Sequence, residues 1–245
     1  MDTAKLAHPR RDDVSTTDFS FAFQPIVDSH ARTVYSHEAL VRGLHDEPAY
    51  QVINRSPGNQ KQAFDAACRV KAIEVAARIG MHTHLNLNLL SCTALKVAVS
   101  LNSTVEAANR CSFPLERIIV ELSINDYANF AQVFKEYRQL GLKFAIDDFG
   151  AGYSGLFLLS DFPPDIVKLD MELVRGIRSH TPRHGIVHTI AQACVDLGID
   201  LVVEGVETVD EFNWFNDLGV QLYQGYLFAK PMFEAMPPFH SPDPN

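Results

Sequence analysis

The sequence predicts an α/β fold of the TIM-like (β/α)8 barrel type, and two observations support that prediction. Eight short apolar runs recur along the 245 residues, and most of them precede a segment with helical periodicity. Eight is also the number of βα units that closes a barrel. A doubly wound open sheet is the alternative. That fold usually has a glycine-rich turn after its first strand, and residues 24–31 (QPIVDSHA) contain no glycine.

The elements follow from local periodicity and helix-ending residues. The predicted strands are 21–27, 33–40, 82–89, 117–122, 143–148, 165–170, 200–205 and 220–225. Two apolar stripes at helical spacing predict helices, and 126–139 and 208–218 are also predicted to be helical. The stripes are Phe64, Cys68, Ala72, Val75, Ala76 and Ile79, and then Ile186, Ile190, Cys194 and Leu197. A glycine at a helix end precedes three strands, at Gly141, Gly198 and Gly219.

The charge balance limits the classes of partner. The chain has 21 basic and 30 acidic residues and a net charge of −9. Such a chain lacks the positive field that duplex nucleic acid or an anionic membrane surface requires. If the substrate is a phosphate compound, positive charge must be supplied locally.

Cysteine usage and the chain ends predict a cytoplasmic protein. The four cysteines lack metal-binding or CxxC spacing, and Cys68 and Cys194 fall on apolar helix faces, as buried free thiols do. The N-terminus has no apolar signal core, and no apolar run approaches the ~18 residues of a membrane span. We expect a flexible segment at 1–18, one domain at 19–235, and a frayed proline-rich tail at 236–245.

Polar residues end seven of the eight predicted strands. They are Glu38, Asn88, Glu121, Asp147 with Asp148, Lys168 with Asp170, Glu204 with Glu207, and Gln224. In a parallel barrel these strand ends converge on the face that carries active sites. Residues two apart share a side, so Ile119 should fill the barrel and Glu121 should lie at its mouth.

So many carboxylates at one mouth indicate bound cations. Two like charges about 4 Å apart repel by roughly 4 kcal/mol at an effective dielectric constant near 20. One lysine cannot balance six or seven carboxylates, whereas divalent cations can. The oxygen-rich set suits Mg²⁺ or Mn²⁺, and adjacent aspartates let one carboxylate bridge two ions, as in sites that cleave phosphodiesters.

Less specific interpretations exist for each residue alone. A single acidic residue after a strand is usually a helix cap, so the metal prediction depends on the repetition along the chain. His37, His82 and His84 lack partners at diagnostic spacing and are interpreted as structural.

Seven motifs in order resemble the EAL domain, a family of bacterial phosphodiesterases that linearise cyclic di-GMP to 5′-pGpG. They are HEALVRG (37–43), NLL (88–90), ELS (121–123), DDFGAGYSGL (147–156), DIVKLD (165–170), EGVET (204–208) and YQGYLFAKP (223–231). Each motif alone is weak, but the ordered set is specific and spans residues 21 to 232. The resemblance implies a TIM-like barrel whose first strand is antiparallel to the others.

The resemblance also implies roles for residues of this chain. Glu38, Asn88, Glu121 and Asp147 would bind one divalent cation, Mg²⁺ or Mn²⁺, and Asp147, Asp148 and Glu204 a second. Lys168, Glu204, Glu207 and Gln224 would serve catalysis. The implied substrate contacts are Gln24, Leu40, Arg42, Asp170 and Pro231. A mobile loop would comprise Phe149, Gly150, Ala151, Gly152, Tyr153 and Ser154.

One position departs from the family pattern. The family usually has a glutamate three residues after the one at Glu121, which anchors the mobile loop, whereas this chain has Ile124. An apolar side chain cannot accept hydrogen bonds from the loop, and Asp126 could replace it. Three functions therefore stay open: an active phosphodiesterase, a receptor that binds cyclic di-GMP without cleaving it, and a regulator that binds a protein partner. The apolar segment 156–162 fits either a homodimer contact or the buried core.

Overall fold

All eight predicted strands are present in the computed structural model, which describes residues 18–55, 61–89, 94–123, 135–150, 163–240, Leu159 and Pro242. They are β1 (Phe19–Asp28), β2 (Thr33–Gly43), β3 (His84–Asn88), β4 (Ile118–Ser123), β5 (Lys143–Phe149), β6 (Ile166–Leu169), β7 (Asp200–Val203) and β8 (Leu222–Tyr223). A ninth strand, β9 (Met232–Phe233), was not predicted because two residues are too few to show periodicity.

The strands close into a barrel of the predicted TIM-like type. Strands β2 to β8 follow one another in parallel, and β1 lies between β8 and β2, antiparallel to both. This confirms the antiparallel first strand. Along β1, strand β8 pairs with Val27 and Asp28 alone, and strand β9 pairs with Ala22 and Phe23. Strand β9 thus extends the pairing of β1 beyond the reach of β8.

Helices surround the barrel. They are α1 (Ala49–Arg55), α2 (Lys61–Arg78), α3 (Ala94–Arg110), α4 (Met171–Val174), α5 (Thr181–Leu197) and α6 (Val209–Asp217), and residues 135–139 are also helical. Short 3-10 turns occupy Leu115–Arg117 and Ile177–Ser179. Helix α6 begins with a capping box between Thr208 and Glu211. No helix in the described parts of the chain is both long and apolar enough to cross a bilayer.

The predicted apolar face of α5 is partly wrong. Ile190 and Cys194 are buried, but Ile186 and Leu197 are 53% and 42% exposed. The buried face instead contains Val187 and Ala191, because the helix is rotated slightly from the predicted orientation toward the barrel. Cys194 is a buried free thiol, as expected, whereas Cys68 is only partly buried.

The core has two layers, as the alternation predicted. A small apolar cluster fills the inside of the barrel, and a larger one lies between the strands and the helices. The inner cluster comprises Ile26, Ile119, Ala145, Ile166, Val202 and Leu222, with Tyr35 packed against it. Because the next inward residue along β4 is Glu121 and along β6 is Lys168, this cluster forms the floor beneath the polar mouth.

The proline-rich tail is not frayed over residues 236–240. Pro237 is buried, and Phe239 packs against the outer core. The amide of His240 donates a hydrogen bond to the carbonyl oxygen of Phe228 at 2.8 Å. Composition predicted a loose end because proline cannot join a strand or helix ladder, but one aromatic residue and one backbone bond suffice to fix this segment.

Gly225 is required by a close backbone approach. A Cβ atom at this position would lie 2.0 Å from the carbonyl oxygen and 2.4 Å from the amide nitrogen of Val206. We expect Gly225→Ala to lower the free energy of unfolding by about 1–3 kcal/mol, because backbone must move to remove the clash. Urea unfolding measures this change. The matched variant Gly185→Ala, where a Cβ meets no atom within 4 Å, should not be destabilised.

Candidate metal-dependent active site

A buried lysine lies at the centre of the barrel mouth, surrounded by carboxylates from four strand ends. The Nζ atom of Lys168 lies 2.7 Å from Glu204 Oε1, 2.9 Å from Glu121 Oε1, 3.2 Å from Asp147 Oδ1 and 3.3 Å from Glu38 Oε2. Its side chain is 1% exposed. The predicted convergence of strand ends is therefore present, with one cation shared by four acids.

Amide side chains hold the carboxylates in place. Asn86 Nδ2 donates to Glu121 Oε1 at 2.6 Å from inside the barrel, where sequence alternation placed it. Asn88 Nδ2 donates to Glu38 Oε1 at 3.1 Å, and Gln224 Nε2 donates to Glu38 Oε2 at 2.8 Å. Gln24 Nε2 donates to the carbonyl oxygen of Ala229 at 3.1 Å. The first three bonds orient Glu121 and Glu38, and the fourth orients Gln24.

A bulge in β5 explains how two consecutive aspartates face the same site. Neighbouring residues of a regular strand point to opposite faces. The pairing of β5 with β6 shifts between Ile146 and Phe149, and Asp148 has a left-handed φ of 51°. Carboxylate oxygens of Asp147, Asp148 and Glu204 consequently lie within 4.8 Å of one another. The strained backbone at Asp148 brings together the acids that a second cation would need.

Burial and repulsion between carboxylates raise the pKa values of Glu121, Glu204 and Asp148. Burial raises the pKa of Glu121 well above its ordinary value, and Glu38, Asp147 and Glu204 add to this against the opposing charge of Lys168. Burial, against the opposing charge of Lys168 and with the repulsion of Asp147 and Glu38, raises the pKa of Glu204 to about 8. Burial and the neighbouring Asp147 and Asp170 raise the pKa of Asp148. Burial lowers the pKa of Lys168, but the four acids outweigh it and raise that pKa well above its ordinary value. The mouth thus carries more negative charge than one lysine neutralises.

The residues at the mouth fit divalent cations. Among the described residues, Glu121 Oε2 and Asn86 Oδ1 are buried oxygens with no hydrogen-bond partner. Carboxylates and an amide, without thiolates, form the ligand set that Mg²⁺ and Mn²⁺ prefer. Cations at Glu121 and at the Asp147–Asp148–Glu204 group would satisfy the free oxygen and offset the repulsion.

A cavity of about 300 Å³ opens above the acids. It is lined by Gln24, Glu38, Asp148, Met171, Arg175, Glu204, Gly205, Glu207, Gln224, Gly225 and Tyr226. Glu207 lies at the rim, where it pairs with Arg175 and its side chain is 46% exposed. Glu207 therefore faces the cavity from its rim, whereas Glu38, Asp148 and Glu204 line its inner part.

The residues expected to contact substrate lie in different places. Asp170 caps α4 through its Oδ1 atom, which accepts from the Glu172 amide at 2.6 Å. Arg42 donates to the Val41 carbonyl oxygen at 2.9 Å and lies 3.6 Å from Asp46.

Leu40 lines a second cavity, between β2 and helices α1 and α2. Pro231 is half-buried and directly precedes β9.

Part of the predicted site lies outside the described residues. This applies to Ile124, Asp126 and the loop residues Ala151, Gly152, Tyr153 and Ser154. Phe149 and Gly150, which begin that loop, are described: Phe149 ends β5 in the core, and Gly150 has a φ of 106°. Because L side chains rarely adopt this left-handed φ, glycine is favoured where the chain leaves the strand.

Sequence reasoning missed two arginines next to the site. Arg175 lines the cavity and pairs with Glu207 and Glu211. Arg69 is buried behind β3 and bonds to the backbone of Asn88. An aspartate four residues before Arg69, within an apolar helix face, is the signal that could have revealed it. Two of the three histidines make contacts consistent with structural roles: His37 bonds to Thr83, and His84 stacks on Tyr35. His82 is exposed.

Without divalent cations, the protein should lose stability as the pH rises from about 5 to 8. The folded state holds a proton on Glu204, whose pKa is about 8, and the unfolded chain releases it near 4.5. Stabilisation from this group is complete below pH 4.5 and is lost as the pH passes 8, a change on the order of a few kcal/mol.

Cations compete with those protons, so the increase in Tm caused by Mn²⁺ should grow between pH 6 and pH 8. Thermal unfolding in EDTA and in Mn²⁺ measures both effects. A Mn²⁺ shift that is equal at the two pH values would contradict this electrostatic account.

Comparison with known sequences identifies the family. The sequence profile of the EAL domain matches residues 9–231, which is most of the chain. This chain belongs to the EAL family. The resemblance inferred from the seven motifs is therefore confirmed.

Two relatives from Escherichia coli K12 carry different functional names. The blue light- and temperature-regulated antirepressor BluF is 30% identical over 93% of this chain, and the probable cyclic di-GMP phosphodiesterase PdeN is 28% identical over 89%. This EAL chain spans 58% of BluF and 44% of PdeN.

Solved EAL structures share the fold along nearly the whole chain. A standalone EAL protein of Vibrio cholerae O395, in its c-di-GMP-bound form, has a TM-score of 0.84 and 42% identity, covering 91% of this chain and 96% of that one. Klebsiella pneumoniae BlrP1, in a calcium and cyclic di-GMP complex, has a TM-score of 0.85 and 31% identity, covering 91% of this chain and 58% of that one.

Proposed function

We propose that this EAL chain is a cyclic di-GMP phosphodiesterase that yields linear 5′-pGpG with two Mg²⁺ or Mn²⁺ ions. One observation carries the proposal: the oxygens of Asp147, Asp148 and Glu204 converge beside the buried acids Glu121 and Glu38. Solved relatives that bind cyclic di-GMP, one of them together with calcium, support it.

Each inner residue has a chemical role in this proposal. Glu38, Asn88, Glu121 and Asp147 would hold one ion, and Asp147, Asp148 and Glu204 the second. The ions supply charge stabilisation at the phosphoryl group and lower the pKa of water. Lys168 holds the acids at fixed distances and keeps its proton, because the four carboxylates favour the charged ammonium. Gln224 orients Glu38 through a 2.8 Å hydrogen bond.

The outer residues would bind the nucleotide. Gln24 and Glu207 line the cavity above the acids, and Arg175 adds a cationic group at its rim. We assign Arg42 a phosphate contact, which requires it to release its 3.6 Å pairing with Asp46, while Leu40, Asp170 and Pro231 would contribute further substrate contacts.

The direct test is chromatography of cyclic di-GMP after incubation with the protein and Mn²⁺. We expect 5′-pGpG to accumulate, its formation to stop in EDTA, and cyclic di-AMP to be cleaved to linear pApA more slowly. Unchanged cyclic di-GMP at stoichiometric protein concentration would refute the phosphodiesterase assignment.

A second candidate is a regulator that acts by binding cyclic di-GMP or a protein partner without hydrolysis. The name of BluF, an antirepressor, and the isoleucine at position 124 favour it. Calorimetry with cyclic di-GMP and Ca²⁺ distinguishes the two kinds of regulator. Binding of cyclic di-GMP without later turnover in Mn²⁺ supports a receptor. Absence of cyclic di-GMP binding supports a protein-binding regulator.

Ile124→Glu should increase activity if the loop anchor limits turnover. A carboxylate at this position can accept hydrogen bonds from loop amides, and charge-assisted bonds of this kind contribute about 1.5–3 kcal/mol, which corresponds to roughly 10–100-fold in kcat/KM. Steady-state hydrolysis in Mn²⁺ measures the effect, with Ile124→Gln as a neutral control of similar size. Equal turnover and KM in the variant and the native chain would show that the anchor argument is wrong.

A further inference from the structure

A buried ion pair lies behind the metal-site strand β3, outside the barrel. Arg69 and Asp65 are one turn apart on α2, and Arg69 Nη1 lies 2.6 Å from Asp65 Oδ2. Their side chains are 1% and 5% exposed. Arg69 Nε also donates to Thr104 Oγ1 on α3 at 3.2 Å. The guanidinium therefore joins two outer helices at one fixed point.

The same guanidinium reaches the end of β3. Arg69 Nη1 donates to the backbone carbonyl oxygen of Asn88 at 3.1 Å. Asn88 is the last residue of β3, and its side-chain amide donates to Glu38 Oε1 at 3.1 Å. Glu38 in turn accepts from Gln224 and lies 3.3 Å from Lys168. A continuous chain of contacts thus runs from Asp65 through Arg69 and Asn88 to the acids of the mouth.

A strand end needs such support if its side chain is to bind an ion. Asn88 ends β3, and the direction of its side chain follows the position of its backbone. Arg69 presents a planar donor fork with a fixed charge, and Asp65 holds that fork in one orientation. Because both side chains are almost fully buried, removing either partner would leave the other charge buried and unpaired, which is strongly destabilising.

We propose that Arg69, oriented by Asp65, is a positioning residue that sets the affinity of the site for divalent cations through Asn88. The inference rests on the proposed metal-dependent function. Arg69 would act through the backbone of Asn88 rather than by contact with the ion. Contacts of this kind, one step removed from an ion, typically change metal affinity 10–100-fold when lost.

The test measures Mn²⁺ binding to the full chain by electron paramagnetic resonance, without nucleotide. We expect Arg69→Gln to raise the Mn²⁺ dissociation constant about tenfold or more. Arg69→Lys, which keeps the charge but loses the fork, should raise it less. Val75→Ala, a cavity variant of the same helix, should lower Tm and leave Mn²⁺ affinity within about twofold.

A double-variant comparison separates positioning from general destabilisation. Asn88→Ala should weaken Mn²⁺ binding, and adding Arg69→Gln to it should weaken binding no further. If Arg69→Gln does not fold, Thr104→Val removes one contact of the guanidinium more mildly and should shift the dissociation constant in the same direction.

Unchanged Mn²⁺ affinity in the folded variants would overturn the proposal. So would an Arg69→Gln substitution that weakens Mn²⁺ binding equally in the native chain and in Asn88→Ala. Because binding is measured directly, a chain that binds Mn²⁺ but does not hydrolyse cyclic di-GMP would refute the proposed function and leave this inference standing.

Discussion

Asp147→Asn should reduce kcat/KM for cyclic di-GMP by about 10³-fold or more, because it removes the carboxylate placed between both proposed ions. The substitution conserves shape, so the geometry of β5 should be retained. It also removes one of the four carboxylates around Lys168, which weakens the repulsion at the mouth. The variant should therefore have a Tm in EDTA equal to or above that of the native chain, while the Tm increase caused by Mn²⁺ is lost.

This combination distinguishes a lost metal ligand from a damaged fold. Hydrolysis is measured by chromatography of 5′-pGpG, and Tm by thermal unfolding in EDTA and in Mn²⁺. Asp210→Asn is the matched control, because Asp210 pairs with Arg178 on the surface. It should leave both measurements unchanged. An Asp147→Asn protein that retains more than a tenth of native kcat/KM would refute the bridging role of Asp147.

The barrel and the position of its mouth could be predicted because they follow from local patterns. Alternation along each strand places residues two apart on one side, so Ile119 and Glu121 could be assigned to floor and mouth without any knowledge of pairing. The chemistry of the candidate site also follows a local pattern, since each proposed metal ligand lies at a strand end. Local patterns do not determine the direction or order of the strands in the barrel. The antiparallel β1 was predicted from the family resemblance alone.

Features that depend on tertiary contacts could not be predicted in this way. The positive φ of Asp148 accompanies a shifted pairing between β5 and β6, and no local sequence pattern predicts that shift. The burial of Arg69 depends on α3 and β3 meeting α2, and composition would place an arginine at the surface. Phe239 fixes the tail for the same reason: its partner is the distant outer core rather than a neighbour in sequence.

Lys168→Met should destabilise the metal-free protein at pH 8 by about 3–5 kcal/mol and abolish hydrolysis. The variant leaves Glu38, Glu121, Asp147 and Glu204 packed together without their shared cation. Loss of the lysine charge should then raise the pKa values of Glu121 and Glu204 further, so the folded state would bind more protons than the unfolded chain. Stability lost at pH 8 should consequently return as the pH falls toward 5.

Mn²⁺ should also restore part of the stability, because it supplies the positive charge that the lysine provided. Urea unfolding at pH 6 and pH 8, with EDTA or Mn²⁺, tests both routes of recovery. Lys71→Met, the same change on the outer helix α2, should show neither a large loss nor recovery. If Lys168→Met is equally unstable at both pH values and unaffected by Mn²⁺, the loss arises from packing alone. The lysine would then not be the charge that keeps four acids together before a metal binds.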